Sequence, residues 1–293
     1  MWRKTGTESK EDYRNCVQTM THDFPILDDH FHINRIAGKG PKVIKEFMRS
    51  GGTHIILVSL PSWSVGVTPI TEDDFRAVYD TTLTDEKTVR ELGCHCYTLG
   101  GVHPAEIGQL LERMSLVDAE TLMKAGLDVA AEYVSEGKFI GLKSGRPHYQ
   151  VSPEVWDASN RVLMHAIELA KDLECPLQIH AESGNCADVG DMTASVGLPI
   201  HAIIKHFATC DTPLHPSVTV REPFLAEWFA EKRDFTMESD YMDDSSRPGA
   251  VNGPRSVPRT MQRMLQSGQV SPDDMWHVHA EVPSKIYHVP FDL

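Results

Sequence analysis

The sequence predicts an α/β fold, a single (β/α)8 TIM barrel, from three observations. Eight short apolar runs, most of them ending in a polar residue, recur along the chain, and segments with helical periodicity separate most of them. Short runs that are buried on both faces and alternate with helices indicate a parallel sheet. Eight parallel strands close a barrel, and a length of 293 residues suits one such domain.

The predicted strands follow one another at spacings that leave room for a helix between most of them. They cover residues 26–32, 53–59, 95–101, 139–144, 176–180, 200–206, 217–220 and 234–240. Helical periodicity marks residues 121–134, 154–173 and 223–232. A long irregular stretch at 241–258 is rich in Asp, Ser, Pro, Gly and Asn. We expect it to form a lid over the barrel mouth, because loops of this length are usually either functional or disordered.

The barrel domain is expected to span residues 24–293. Residues 1–23 are polar and charged without a hydrophobic block, so they predict a poorly ordered extension rather than a signal peptide. Met20 lies just before the first predicted strand. The natural start of the chain stays open between Met1 and Met20.

Composition restricts the partners of the protein. An apolar fraction of 41% suits a full core, and no stretch approaches the ~20 apolar residues of a membrane span. The net charge is −14 and there is no Lys/Arg-rich run, so extended duplex nucleic acid is not an expected partner. A small phosphorylated ligand, a strand end and a homo-oligomer stay open. The six cysteines contain no Cys-x-x-Cys pair, which predicts reduced thiols and a cytoplasmic location.

The first predicted strand closes with His30 and His32. Alternate residues of a strand point to the same side, so the two imidazoles converge while Phe31 faces the packing. Imidazole is a common ligand of zinc-like ions, and two rings at fixed spacing supply half of an inner coordination shell. The pair alone is weak evidence, and its interpretation depends on the later strands.

Later predicted strands also end in residues that can bind or bridge metals. Chemistry in a (β/α)8 barrel takes place at the carboxyl ends of the strands, so these side chains are expected at one mouth. The choice on the last strand is the least secure, because Glu238 falls on the same side as Asp240 and further acidic residues follow. The candidates after the first strand are Lys143, His180, His206 and Asp240.

The order of these motifs resembles the amidohydrolase superfamily, and within it the TatD-type metal-dependent hydrolases. Residues 28–32, Asp-Asp-His-Phe-His, look like the TatD first-strand motif, and residues 101–104 look like Gly-x-His-Pro. Residues 238–240 resemble Glu-Thr-Asp, and residues 282–287 resemble the C-terminal Asn-Pro-x-x-x-Tyr segment. The resemblance implies two divalent ions, Zn²⁺ or Mn²⁺. It assigns one ion to His30, His32 and Asp240, and the other to His180 and His206.

One position departs from the TatD pattern. TatD-type proteins carry a glutamate at the end of the fourth strand, where this chain has Lys143 in Ile-Gly-Leu-Lys-Ser-Gly. A free ammonium repels a cation, but phosphotriesterase-like lactonases carboxylate a lysine on this strand and use the carbamate as a bridge. We therefore expect N6-carboxylated Lys143 between the two ions. The alternatives are a cationic Lys143 beside one metal, or a lysine on the surface.

The resemblance implies a hydrolase that attacks a phosphoester with a hydroxide activated by one or two ions, with Asp240 as the proton acceptor. Arg146 and His148 follow the bridging position and suit a phosphate. His103 matches a histidine near the substrate phosphate in TatD-type sites. A lactonase or amidohydrolase acting on a cyclic ester or amide is the alternative enzyme. A non-catalytic barrel scaffold that has lost its metals is the alternative from another class.

Overall fold

The structure, a computed structural model, describes residues 23–246 and 252–293. The predicted N-terminal extension therefore lies, except for its last residue, outside the described residues. So do residues 247–251 of the predicted lid.

Eight parallel strands follow one another in sequence order around one sheet. The first and last strands are brought together by the backbone, because His32 N donates to Tyr241 O at 2.9 Å and Phe31 forms an isolated parallel bridge with Tyr241. The predicted (β/α)8 barrel is confirmed. The strands are β1 (Leu27–Phe31), β2 (His54–Val58), β3 (His95–Gly101), β4 (Gly141–Gly145), β5 (Leu177–His180), β6 (Ile203–Lys205), β7 (His215–Thr219) and β8 (Thr236–Glu238).

Each strand lies within or overlaps a predicted run, and two runs are shortened for local reasons. Residues 200–202 form a 3-10 turn, so β6 has only three residues. At the other end of the sheet, β8 stops at Glu238 and Asp240 takes a left-handed conformation with φ of 49°. The predicted ligand Asp240 therefore lies on the loop that follows β8 rather than on the strand itself.

Helices cover the outside of the barrel. The predicted helical segments are found in α4, α5 and α7, and α4 and α5 begin at serine caps: the Ser115 side chain accepts from Asp118 N and the Ser152 side chain from Val155 N. The helices are α1 (Ile44–Met48), α2 (Asp73–Glu91), α3 (Glu106–Leu111), α4 (Leu116–Ser135), α5 (Pro153–Asp172), α6 (Ala187–Val196), α7 (Leu225–Ala230), α8 (Ser256–Gln266), α9 (Pro272–Trp276) and α10 (Val282–Tyr287). No helix of the described residues is long and apolar enough to cross a bilayer.

The strands pack tightly where the site begins. Glycine closes β3 and β4, and a Cβ on Gly101 would lie 1.7 Å from the carbonyl oxygen of Lys143. A Cβ on Gly145 would lie 1.8 Å from the carbonyl oxygen of His180. Both positions therefore need glycine, because the neighbouring backbone fills the space of any side chain. These contacts set how closely β3, β4 and β5 approach at the mouth.

Part of the predicted lid is firmly attached. The buried Asp243 carboxylate accepts backbone N–H groups of Asn34, Lys39 and Gly40 at 3.1, 2.8 and 2.8 Å. It thereby ties the loop after β8 to the loop after β1. Residues 256–258 are helical, because α8 begins at Ser256. The predicted lid is thus shorter than 241–258.

Candidate metal centre

The first pair of predicted ligands meets at the mouth. Nε2 of His30 lies 2.9 Å from Nε2 of His32, and 3.9 Å from a carboxylate oxygen of Asp240. Each of these residues offers one ligand atom, and the three atoms lie within 4.8 Å of one another. The convergence expected from the His-x-His spacing is therefore present.

The hydrogen bonds of these two rings select their tautomers. His30 Nδ1 lies 2.6 Å from Gln178 Oε1, and His32 Nδ1 lies 3.0 Å from the Val58 carbonyl oxygen. Both partners only accept hydrogen bonds, so both Nδ1 atoms carry the proton. The two Nε2 atoms then face each other with lone pairs. Two facing lone pairs repel each other, and a cation between the ligands removes that repulsion.

A second pair of histidine nitrogens lies within hydrogen-bond distance. Nδ1 of His180 lies 2.6 Å from Nε2 of His206, while His206 Nδ1 lies 3.2 Å from a carboxylate oxygen of Glu238. The His206 ring stacks on the His30 ring with centroids 4.0 Å apart, which brings the two histidine pairs side by side.

Burial keeps these rings neutral. It lowers the pKa of His30, His180 and His206 well below the usual value, and it lowers the pKa of His32 to about 3. A neutral imidazole has the free lone pair that a metal needs. The donor set of imidazoles and carboxylate fits a zinc-like divalent ion.

Lys143 lies among these ligands with no hydrogen-bond partner for its Nζ atom within the described residues. The side chain is buried, and burial lowers its pKa to about 7 although Glu238, Asp240 and Asp29 attract its charge. Buried polar groups usually have a hydrogen-bond partner, so a buried amine without one needs a further explanation. The surface location of Lys143 that the sequence left open is excluded.

Glu238 is held behind His206 by two further contacts. It accepts from Phe207 N at 2.9 Å and from Ser217 Oγ at 2.7 Å. It also belongs to a second group of candidate ligand atoms, with His30 and His206. Its oxygens are already engaged with these donors, whereas Asp240 stands nearer the opening. Burial raises the pKa of Glu238 well above its usual value.

Sequence reasoning missed Gln178. This amide is fully buried on β5, where its Oε1 accepts from His30 Nδ1. Its Nε2 donates to the Asp29 carbonyl at 2.9 Å and to Tyr287 Oη at 3.3 Å. These two acceptors fix the amide orientation and so the tautomer of His30. A polar residue two positions before His180, on the same side of the strand, was the available signal.

The ligands open into a cavity of about 690 Å³. His103 and His148, which the sequence analysis assigns to substrate binding, both line it. His148 Nδ1 lies 2.7 Å from Nε2 of His180, and the His103 ring lies 4.8 Å from the His180 ring. Both are close enough to meet a molecule bound beside His180.

Arg146 occupies a different place from the one expected. Its side chain is 2% exposed and is paired with Glu182 and Asp188. Its guanidinium also lies over the Trp156 ring, 4.7 Å from the centroid, and Arg146 is not among the residues that line the cavity. Carboxylates of the next loop and helix have taken the donors that were expected to bind substrate.

Comparisons with known proteins agree with this geometry. Residues 27–222 match the family described as TatD related DNase. The chain belongs to this family. It is 33% identical over 281 residues to an uncharacterized protein of Methanocaldococcus jannaschii, which covers 92% of this chain and 98% of that protein. The chain is accordingly a metal-dependent hydrolase, with candidate metal ligands at the barrel mouth.

Solved structures of low sequence identity share the fold. The TatD homologue YJJV of Escherichia coli superposes with a TM-score of 0.64 at 15% identity, covering 90% of this chain and 98% of that one. A lactonase of Listeria monocytogenes superposes with a TM-score of 0.61 at 10% identity, covering 92% of this chain and 96% of that one. The phosphotriesterase homology protein of Escherichia coli was solved with phosphate in its active site. It superposes with a TM-score of 0.56 at 11% identity, covering 91% of this chain and 99% of that one.

Proposed function

We propose that this protein hydrolyses a phosphoester with the help of two divalent ions, Zn²⁺ or Mn²⁺. The observation that carries the proposal is the convergence of two pairs of histidine nitrogens, separated by 2.9 Å and 2.6 Å, beside Asp240 and the unpaired Lys143. One ion is assigned to His30, His32 and Asp240. The other is assigned to His180 and His206.

Lys143 is proposed to be N6-carboxylated between the two ions. The neutral amine bonds through its nitrogen to the carbon of CO2 and releases one proton, which gives an anionic carbamate with two oxygens. The buried Nζ atom without a hydrogen-bond partner supports this assignment. Glu238 does not replace the bridge, because its oxygens already accept from Phe207 N and Ser217 Oγ.

The proposed reaction divides its tasks between the ions and the chain. Bound ions lower the pKa of water and polarise the bond under attack. Asp240 accepts the proton of the attacking water and passes it to the leaving group. His103 and His148 line the same cavity and are proposed to donate hydrogen bonds to the oxygens of the substrate. Arg146 is not part of this proposal.

The size and charge of the protein support a small or short substrate. The net charge of −14 and the bounded cavity of 690 Å³ favour a small-molecule ester or a strand end over an extended duplex. One domain over residues 24–293 and a cytoplasmic location complete the proposal. The free cysteines Cys94, Cys96, Cys175, Cys186 and Cys210 support a reducing compartment.

A second candidate is a lactonase or amidohydrolase acting on a cyclic ester or amide. Lys143 favours it, because the lysine on the fourth strand is the feature in which this chain departs from the TatD pattern. The scaffold that has lost its metals is disfavoured by the complete set of neutral histidine ligands.

The proposal is tested on protein purified without chelator. Elemental analysis should find about two divalent ions per chain, and a panel of phosphodiesters, lactones and N-acyl compounds should be run with added Mn²⁺ or Zn²⁺. We expect turnover of phosphodiesters above the other classes. Turnover of lactones alone would replace the phosphoesterase with the second candidate, and a metal content near zero would overturn the whole assignment.

A further inference from the structure

Three exposed aromatic side chains surround the proposed site. Trp63, Tyr149 and Phe207 line the cavity, and they are 42%, 43% and 50% exposed. They come from three different loops, which follow β2, β4 and β6. Large apolar side chains at a cavity mouth are a recognised mark of ligand-binding surfaces.

Each of these rings meets a histidine of the site nearly edge-on. Trp63 lies 6.5 Å from the ring of His103, and Tyr149 lies 5.5 Å from the ring of His148. Phe207 lies 6.4 Å from the ring of His206. These contacts place an exposed aromatic ring beside each of three site histidines.

The same histidines converge on one ring. His180 lies 4.8 Å from His103, 4.7 Å from His148 and 4.8 Å from His206. His180 is therefore connected to each of the three exposed aromatic side chains through one intervening histidine ring. A substrate whose ester group lies beside His180 would bring its substituents against these rings.

The backbone of Phe207 is strained. Its φ is 54°, a left-handed backbone conformation that a bulky L-residue rarely adopts. Backbone strain of this kind persists where the surroundings impose it and is concentrated at ligand sites. The Phe207 N–H donates to Glu238, which holds the strained residue in place.

The mouth offers little for a highly charged substrate. Among the described residues that line the cavity, Lys143 is the only lysine or arginine, and Asp243 and Asp244 also line it. Sites that bind phosphate dianions use arginine or lysine clamps. This lining favours a substrate that carries one negative charge or none outside the proposed ions.

We infer that Trp63, Tyr149 and Phe207 form an aromatic rim that binds a planar, uncharged ring of the substrate, and that the ester carries at most one negative charge. The inference rests on the proposed function and adds its substrate class: diesters with an aromatic or heteroaromatic substituent. Stacking on each ring is expected to change affinity by about two- to tenfold.

The test compares two diesters with the same leaving group. Phenyl p-nitrophenyl phosphate and methyl p-nitrophenyl phosphate both release p-nitrophenol, so the ring of the leaving group is common to both. They differ only in the substituent that stays on the phosphorus, which is the group proposed to meet the rim. The wild-type protein should show a KM at least fivefold lower for the phenyl ester. The dianion p-nitrophenyl phosphate should be the poorest substrate of the three.

The variants Trp63→Ala, Tyr149→Ala and Phe207→Gly should each reduce the preference for the phenyl ester, chiefly through KM. Glycine at position 207 accepts the positive φ, so this variant removes the ring and leaves the loop unstrained. Ile70→Ala serves as a control, because Ile70 is 74% exposed and lies outside the cavity lining. Ile70→Ala should leave the KM of both esters unchanged.

Equal KM values for the two esters, or a preference unchanged in all three rim variants, would overturn the rim. Efficient turnover of the dianion would overturn the charge limit. If no phosphoester is hydrolysed, binding of phenyl methylphosphonate and methyl methylphosphonate is compared by calorimetry. A phenyl preference that the rim variants lose would then keep the rim while the proposed function fails.

Discussion

Buried histidines lie at both ends of the barrel, but those at the mouth alone converge on shared candidate ligand sites among the described residues. At the opposite end, the buried His54 and His215 begin β2 and β7, the exposed His95 begins β3, and the buried His279 lies in a π-helical turn, His277–Glu281. Burial lowers the pKa of His215 and His279 to about 3, as it does for His32 at the mouth.

The two ends therefore agree in burial and protonation and differ in arrangement. At the opposite end, His279 Nδ1 accepts from Leu27 N at 3.1 Å, and His54 stacks on His95 with centroids 4.4 Å apart. At the mouth, ring nitrogens of His30 and His32, and those of His180 and His206, face each other near a carboxylate. A depressed histidine pKa is thus a sign of burial, and the convergence of lone pairs is what indicates a metal site.

The largest expected effect is the loss of turnover when a candidate ligand at the mouth is removed. Removal of a histidine at the opposite end is the matched control. His30→Ala should lower turnover by at least ~10³-fold, because a lost ligand forfeits a contribution worth several kcal/mol. His54→Ala should keep its bound metal and its turnover. Steady-state kinetics and elemental analysis of both folded variants provide the check, and near-normal turnover in His30→Ala would reject the metal-site assignment.

Asp240→Asn tests whether Asp240 rather than Glu238 performs the proton transfer. An amide cannot accept the proton of water, so turnover should fall by ~10²- to 10⁴-fold and metal should bind more weakly. Glu238→Gln is the matched comparison, because its oxygens are engaged with Phe207 N and Ser217 Oγ. Wild-type turnover in Asp240→Asn together with an inactive Glu238→Gln would transfer the role to Glu238.

Lys143→Ala should lose the bridge, one of the two ions and most of the activity. Acetate added to Lys143→Ala, or the substitution Lys143→Glu, should recover part of both, because each restores an anionic pair of oxygens. Metal stoichiometry and a high-resolution crystal structure are the measurements. A bare ammonium with one metal per chain would exclude the binuclear version and leave a mononuclear hydrolase.

Gln178→Leu should weaken metal binding by ~10- to 100-fold, the usual effect of removing a hydrogen bond behind a ligating histidine. The amide accepts from His30 Nδ1, and leucine leaves that N–H without a partner. Competition with a chelator measures the affinity. Gln178→Glu keeps a hydrogen-bond acceptor and should retain more of the metal affinity than Gln178→Leu does. Equal losses in the two variants would assign Gln178 to packing alone.

The smallest expected effect concerns the opposite end and acid stability. The pKa of His215 is lowered to about 3 by burial, mainly against the attraction of Asp234, while an unfolded histidine titrates near ~6.5. The unfolded chain thus binds the extra proton, and the stability that His215 contributes is lost as pH falls below ~6.5, by up to ~1.4 kcal/mol per pH unit. His215→Leu should flatten this dependence in urea unfolding at pH 7, 6 and 5. An unchanged slope would show that His215 is protonated in the folded protein.

The barrel and most of the candidate ligands could be predicted because they depend on local patterns. Apolar runs of strand length, strand alternation and polar residues at the ends of runs locate His30, His32, His180 and His206 without any long-range contact. Asp240 was less secure, and its place beyond the end of β8 depends on a left-handed backbone conformation that its sequence neighbours do not announce.

The sequence by itself determined the fold and the types of side chain that meet at the mouth, because periodicity of two and of 3.6 decides which residues face inward. Only the tertiary structure decided how those side chains are used. Arg146 is removed from the cavity by Glu182 and Asp188, 36 and 42 residues further along the chain. Gln178 acquires its role from His30, which is 148 residues away. Such partnerships form only when distant strands close into one barrel, and no local pattern encodes them.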